Sequence, residues 1–132
     1  MPAPVLPVTI VGSLPRPEWL ATPESVRPQW LLEPPLLQIG QDDAVLLAVK
    51  LQEEIGLDVL TDGEQRRRHY IDEFARALGG LDFGQMVERT TRGGRYKASV
   101  PTVAAPITRP RPILLDGLRF LKAHTQRPVK VT

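Results

Sequence analysis

The chain has 132 residues and a mass of 14.7 kDa, is 42% apolar and 24% charged, and lacks cysteine, which excludes a disulfide framework or a thiolate metal site made by this chain alone. The opening MPAPVLPVTIVGSLP has no basic n-region and is broken by Pro2, Pro4 and Pro7, so it does not read as a signal peptide, and no run of about 18 apolar residues offers a membrane span. The net charge of +2 conceals a division: residues 1–63 carry three basic against nine acidic side chains, residues 64–132 fourteen against six, so the two halves should attract one another.

Val8 to Val11 is a short β-branched run closed by Gly12 and Ser13, and it predicts a buried strand whose end turns sharply into a loop. From Leu14 to Gly40 the chain holds six prolines and both tryptophans, Trp19 and Trp30; that density of breaks predicts an ordered excursion without long regular structure. Asp42 or Asp43 suits the cap of a helix running to Glu54, with Ala44, Leu47, Ala48, Leu51 and Ile55 as its apolar stripe and Gly56 as its stop. Leu57 to Leu60 follows at once as a second strand, completing a β-α-β unit.

After Thr61-Asp62-Gly63-Glu64 a second amphipathic helix is expected, with Ile71, Phe74, Ala75 and Leu78 on one face and Gly79-Gly80 at its end. Gly93-Gly94 between β-forming stretches predicts a hairpin over residues 85–103. Thr108, followed by Pro110 and Pro112, suits the start of a third helix with Leu114, Leu115, Leu118 and Leu121 as its stripe, and 129–132 reads as a third strand. This order is the opening of an α/β architecture with a parallel sheet, taken as a single domain over residues 1–132. Three strands and three helices leave a face and an edge of such a sheet uncovered, and a full (β/α)8 barrel needs about 250 residues, so a partial TIM barrel, incomplete as a single chain, is expected.

In such a barrel ligands bind at the C-terminal ends of the strands. Two ends are visible, Val11-Gly12-Ser13 and Thr61-Asp62-Gly63-Glu64. A hydroxyl, free backbone N–H groups and a carboxylate at one mouth suit an amino acid, whose carboxylate would meet Ser13 and the amides while its ammonium group pairs with Glu64. Turn formation by Ser13 and Asp62 and helix capping by Glu64 fit the same pattern. His69 and His124 are the only imidazoles and have no partner at ligand spacing, so no metal site is expected in this chain. Arg66-Arg67-Arg68 reads as a solvated helix start; with seven aromatics and none interleaved with this run, nucleic-acid binding is not expected.

The segments VTIVGSLPRP (8–17), GLDVLTDGE (56–64), Arg109-Pro110 and PVKVT (128–132) resemble, in order and spacing, the start of the catalytic barrel of cobalamin-independent methionine synthase. The resemblance implies methyl transfer from 5-methyltetrahydrofolate, or its polyglutamate, to the thiol of homocysteine in the cytoplasm, with zinc holding the thiol as thiolate. It implies that Val11, Gly12, Ser13 and Glu64 bind the amino-acid substrate and that Arg95 is the nearest match to a folate-contacting arginine. The family's zinc ligands and its proton-transferring histidine have no counterparts here, so no catalytic residue is assigned to this chain and the chain alone is expected to be inactive. Where the family carries an acidic or Asn residue and then Met, this chain has Arg67-Arg68-His69-Tyr70, which leaves open a different thiol substrate within the same barrel family. A non-catalytic paralogue that self-associates, or pairs with a complementary half-barrel through its sheet edge, is the alternative.

Overall fold

The computed structural model describes residues 6–23 and 28–131, and the predicted features at residues 1–5, 24–27 and 132 lie outside them. The fold is α/β, with elements α1 (Leu36–Glu54), α2 (Tyr70–Arg76), β1 (Gly79–Thr91), β2 (Tyr96–Thr108) and α3 (Leu115–Ala123). Two compact units result: one takes the residues up to His69 together with those from Leu114 on, and the other runs from Tyr70 to Ile113.

In the first unit three extended segments are joined through the middle one. The Asp58 and Val59 amides donate to the Val8 carbonyl at 2.9 and 3.2 Å, and the Val8 amide donates to the Asp58 carboxylate at 2.8 Å. On the other side Leu60 donates to Pro128 and accepts from Lys130, both at 2.9 Å, in a parallel bridge between Leu60 and Val129. Of the expected parallel sheet, the expected strands at 57–60 and 129–132 meet in this single bridge. The expected buried strand at Val8–Val11 is not: Val8 is 54% and Val11 88% exposed. Among the described residues the pairing across this seam is confined to Val8, whose amide meets the Asp58 carboxylate where a ladder would offer a backbone carbonyl.

Helix α1 begins seven residues earlier than the Asp42 cap predicts, with Pro35 at its N-cap and no side-chain cap. Proline needs no hydrogen bond from its own nitrogen, and its fixed φ suits a helix start. The buried face also differs from the predicted stripe. Gly40, Ala44, Val45, Ala48, Val49 and Gln52 point inward, whereas Leu47, Leu51 and Ile55 are 54%, 47% and 61% exposed. This helix is apolar on two faces, and packing selects the one with small and β-branched side chains. Val45 and Val49 meet Leu57, Leu60 and Leu121 in the core, with Ile10, Phe120 and Val129 packed around them.

Gln52 is the polar member of that buried face, 1% exposed. Its Nε2 donates to the carbonyls of Ala48 and Thr61, both at 2.9 Å, and its Oε1 accepts the Thr61 amide at 3.0 Å. The side-chain amide thus satisfies both backbone groups of a residue at the end of the middle segment, where no neighbouring strand is present to do so.

In the second unit the hairpin is longer than predicted, 13 residues in each strand, antiparallel with Thr91 opposite Tyr96 and an irregularity between Asp82 and Met86. Its length displaces two predicted helix ends. Gly79-Gly80 opens β1 instead of closing a helix, so α2 is only seven residues long, and Thr108 closes β2 instead of starting a helix. Ile71 and Phe74 are each 51% exposed, and Ala75 is the buried member of the expected α2 face. Helix α3 starts after Leu114, whose φ of 64° is left-handed, and of its expected stripe Leu121 is the residue that is fully buried.

Gln52→Leu should lower stability by about 2 to 4 kcal/mol, because it strands the buried N–H and C=O of Thr61. Urea unfolding of the 132-residue chain followed by circular dichroism checks this; an unchanged midpoint would show that Thr61 finds other partners.

Candidate functional site

The two predicted strand ends meet within the first unit. The Leu14 amide, one residue beyond Ser13, donates to the carbonyl of Gly63, one residue before Glu64, at 3.0 Å. Gln65, 1% exposed, reinforces the junction by donating from Nε2 to the carbonyls of Leu14 (3.1 Å) and Gly63 (3.0 Å).

Gly12 has φ +92° with open space where a Cβ would stand, so its backbone conformation, not crowding, calls for glycine. Among the described residues none accepts a hydrogen bond from the Gly12 or Ser13 amide, and the Ser13 hydroxyl donates locally to the Leu14 carbonyl at 3.2 Å. The Val11–Ser13 stretch therefore offers two N–H groups without an acceptor among the described residues and a weakly held hydroxyl, donors that suit an anion.

The second strand end is built by turns. Thr61 Oγ1 accepts the Gly63 amide and Asp62 Oδ1 accepts the Glu64 amide, each at 3.0 Å. These bonds wind the chain into left-handed backbone at two successive residues, Gly63 (φ 61°) and Glu64 (φ 57°). The Glu64 carboxylate lies 3.7 Å and the Asp62 carboxylate 3.8 Å from Arg67 Nη2, and the Glu64 side chain keeps 16% exposure. The helix-capping alternative for Glu64 is not realised, since α2 begins six residues later at Tyr70.

The three consecutive arginines depart from the expected solvated helix start. Arg67 is 7% exposed. Arg66 pairs with Asp42 at 2.5 Å and lies over the Phe120 ring, 4.3 Å from its centroid. Arg68 Nε donates to the Pro28 carbonyl at 3.0 Å. Each side chain takes a different direction into the fold, and the pairing of Arg66 with Asp42 joins the basic half to the acidic one.

Arg16, which the residue pattern did not single out, closes the junction. Its Nη2 donates to the Glu64 carbonyl at 2.9 Å and also to the Arg67 carbonyl, and its guanidinium lies 5.9 Å from the centroid of Trp30. Burial pulls the Arg16 guanidinium below its ordinary pKa, while the nearby Glu64 carboxylate opposes that shift. The signal was its position: an arginine between Pro15 and Pro17, three residues past the strand end.

Arg95 belongs to the second unit, where it is an exposed residue of the turn between β1 and β2. His124 donates from Nδ1 to the Phe120 carbonyl, 2.7 Å away, at the end of α3. Among the described residues no group of three or more His, Asp or Glu side chains is arranged to hold a metal ion, so the residues present do not fit a zinc centre. No described helix is long and apolar enough to cross a membrane.

Residues 6–131 match the family model for the catalytic domain of cobalamin-independent synthases. A methionine synthase of Sulfolobus acidocaldarius is 36% identical over 130 residues, covering 97% of this chain and 37% of that protein. A 5-methyltetrahydropteroyltriglutamate–homocysteine methyltransferase of a Synechococcus species is 34% identical over 134 residues, covering 96% of this chain and 17% of that protein. A solved B12-independent methionine synthase from a Shewanella species, in complex with selenomethionine, superposes with a TM-score of 0.83 at 39% identity, over 91% of this chain and 35% of that one. The chain thus spans little more than a third, or less, of the length of these relatives.

Gly63→Ala should cost about 1 to 2 kcal/mol, since an L side chain resists this backbone conformation and its Cβ would stand 3.1 Å from both Ala48 Cβ and Leu14 Cδ1. Amide hydrogen exchange provides the local check: the Leu14 amide should lose protection in the variant, and retained protection would show that the junction does not depend on Gly63.

Proposed function

The chain belongs to the cobalamin-independent methionine synthase family, and from that premise we propose that it supplies the amino-acid-binding strand ends of a methyltransferase barrel. The reaction is transfer of the methyl group of 5-methyltetrahydrofolate, or its polyglutamate, to the thiol of homocysteine. In this reading the 132 residues are the N-terminal portion of the barrel.

The observation that carries the reading is the Leu14–Gly63 hydrogen bond of 3.0 Å, which sets the Val11–Ser13 donors beside the turn that bears Glu64. An amino acid fits between them. Its carboxylate accepts from the Gly12 and Ser13 amides, and its ammonium group donates to Glu64 in a charge-assisted bond. A relative of 39% identity that binds selenomethionine, an amino acid of the same shape as methionine, supports this ligand class.

Zinc would supply activation of the thiol as thiolate. This chain has no cysteine and does not fit that role, so its residues bind and orient the amino-acid end of the substrate. Arg95 is proposed as the contact to the folate. A second reading, a binding module that pairs with another copy or with a complementary half-barrel, is favoured by the outward apolar face of α1 and its C-cap, where Leu47, Leu51 and Ile55 are about half exposed or more.

Titration of the isotope-labelled chain with L-methionine, followed by nuclear magnetic resonance, tests the first reading. Saturable shifts are expected at the Gly12, Ser13 and Glu64 amides, and Glu64→Gln should weaken binding by about 2 to 4 kcal/mol through loss of the charged partner. Binding unaffected by Glu64→Gln removes Glu64 from the site, and no saturable shift in the native chain favours the module.

A further inference from the structure

We propose that Arg16 is the positioning residue of this site, holding the main chain of Glu64 in its left-handed conformation so that the carboxylate meets the amino group of the ligand. The inference rests on the amino-acid site proposed above and assigns it a residue that touches no ligand.

The argument begins with the backbone of Glu64. A non-glycine residue at φ 57° is disfavoured, and such conformations persist only where the surroundings hold them. Two contacts do so here. The Asp62 carboxylate accepts the Glu64 amide at 3.0 Å, and Arg16 Nη2 donates to the Glu64 carbonyl at 2.9 Å. The same nitrogen also donates to the carbonyl of Arg67, whose own amide closes back on the Glu64 carbonyl at 3.2 Å. The peptide groups at both ends of the turn 64–67 are therefore gathered on one guanidinium.

The arginine is presented rigidly. Proline precedes and follows it, and a residue before proline is held to extended backbone, so the stalk that carries Arg16 has little freedom. That stalk continues directly from Val11–Ser13, which makes the side chain a tie between the two halves of the proposed site. Its Nε is buried without a hydrogen-bond partner, as is that of Arg67, and among the described residues the Arg16 guanidinium donates from Nη2 to the Glu64 and Arg67 carbonyls. The position of Arg67 Nη2, 3.7 Å from the Glu64 carboxylate, addresses the side chain; Arg16 addresses the main chain.

The test uses the 132-residue chain and the variants Arg16→Gln, Arg16→Lys and Glu64→Gln. Backbone φ of Glu64 is read from nuclear magnetic resonance couplings without ligand. Affinity is then compared for L-methionine and for 4-methylthiobutanoate, the same molecule without its amino group. The native chain should prefer the amino acid. Arg16→Gln should move Glu64 out of the left-handed region and reduce that preference at least tenfold, whereas Arg16→Lys, which keeps a cationic donor, should restore most of it. Adding Arg16→Gln to Glu64→Gln should change the preference no further.

A loss of stability alone would not move the preference, so an unchanged preference and unchanged φ in folded Arg16→Gln overturn the proposal while leaving the amino-acid site standing. Absence of any preference in the native chain, with no effect of Glu64→Gln, overturns the site and this role with it. If Arg16→Gln does not fold, the native chain decides: the Cζ–Nη2 bond of a clasped Arg16 rotates slowly, and free rotation overturns the proposal.

Discussion

One side-chain amide does for Thr61 what a neighbouring strand does for an ordinary sheet residue. Gln52 reaches from the buried face of α1 and bonds both the N–H and the C=O of Thr61, in a place where an unpaired backbone group costs about 1 to 3 kcal/mol. The turn that follows Thr61 is built on that anchor. The Thr61 hydroxyl and the Asp62 carboxylate wind the next two residues into left-handed backbone, and Gly63 then presents its carbonyl to Leu14. A helix residue far from the candidate ligand thereby fixes where Glu64 stands.

Electrostatics adds a second layer to the same junction. Arg66 and Arg67 approach the Asp42 and Asp62 carboxylates of the acidic half, and Arg16 reaches from the first loop to the Glu64 carbonyl of the turn. Pairs of this kind gain from partial burial only when each charge keeps a partner. The arrangement therefore specifies geometry more than it adds stability. It leaves the Glu64 carboxylate with residual exposure on a turn that is hydrogen-bonded to the segment following Val11–Ser13, and the site proposed above uses a carboxylate and free amides as the complement of an amino acid's two charged ends.

Much of this was legible in the residues. The turn at Thr61–Glu64, the halt at Gly56, the Gly93-Gly94 hairpin and the family all follow from local pattern, because turn chemistry is written in consecutive residues. What was not legible depended on choices made by packing. Helix α1 carries two apolar stripes, and periodicity alone cannot say that the one with Val45 and Val49 faces inward while Leu47 and Leu51 do not. Gln52 was hidden because a polar residue on a stripe ordinarily argues for solvent. Arg66, Arg67 and Arg68 look like one charge run, yet Asp42 and Pro28, the partners of Arg66 and Arg68, lie far back in the sequence. Thr108 read as a helix start because the strand register that claims it is a long-range pairing with Gly79.

The central claim is that Val11–Ser13 and Glu64 form one amino-acid site. The most direct measurement is selenium anomalous scattering from crystals of the chain grown with L-selenomethionine. The account predicts a selenium peak whose amino-acid end lies between the Gly12 and Ser13 amides and the Glu64 carboxylate. A fully occupied ligand elsewhere, or an ordered and empty junction at saturating ligand, would contradict it.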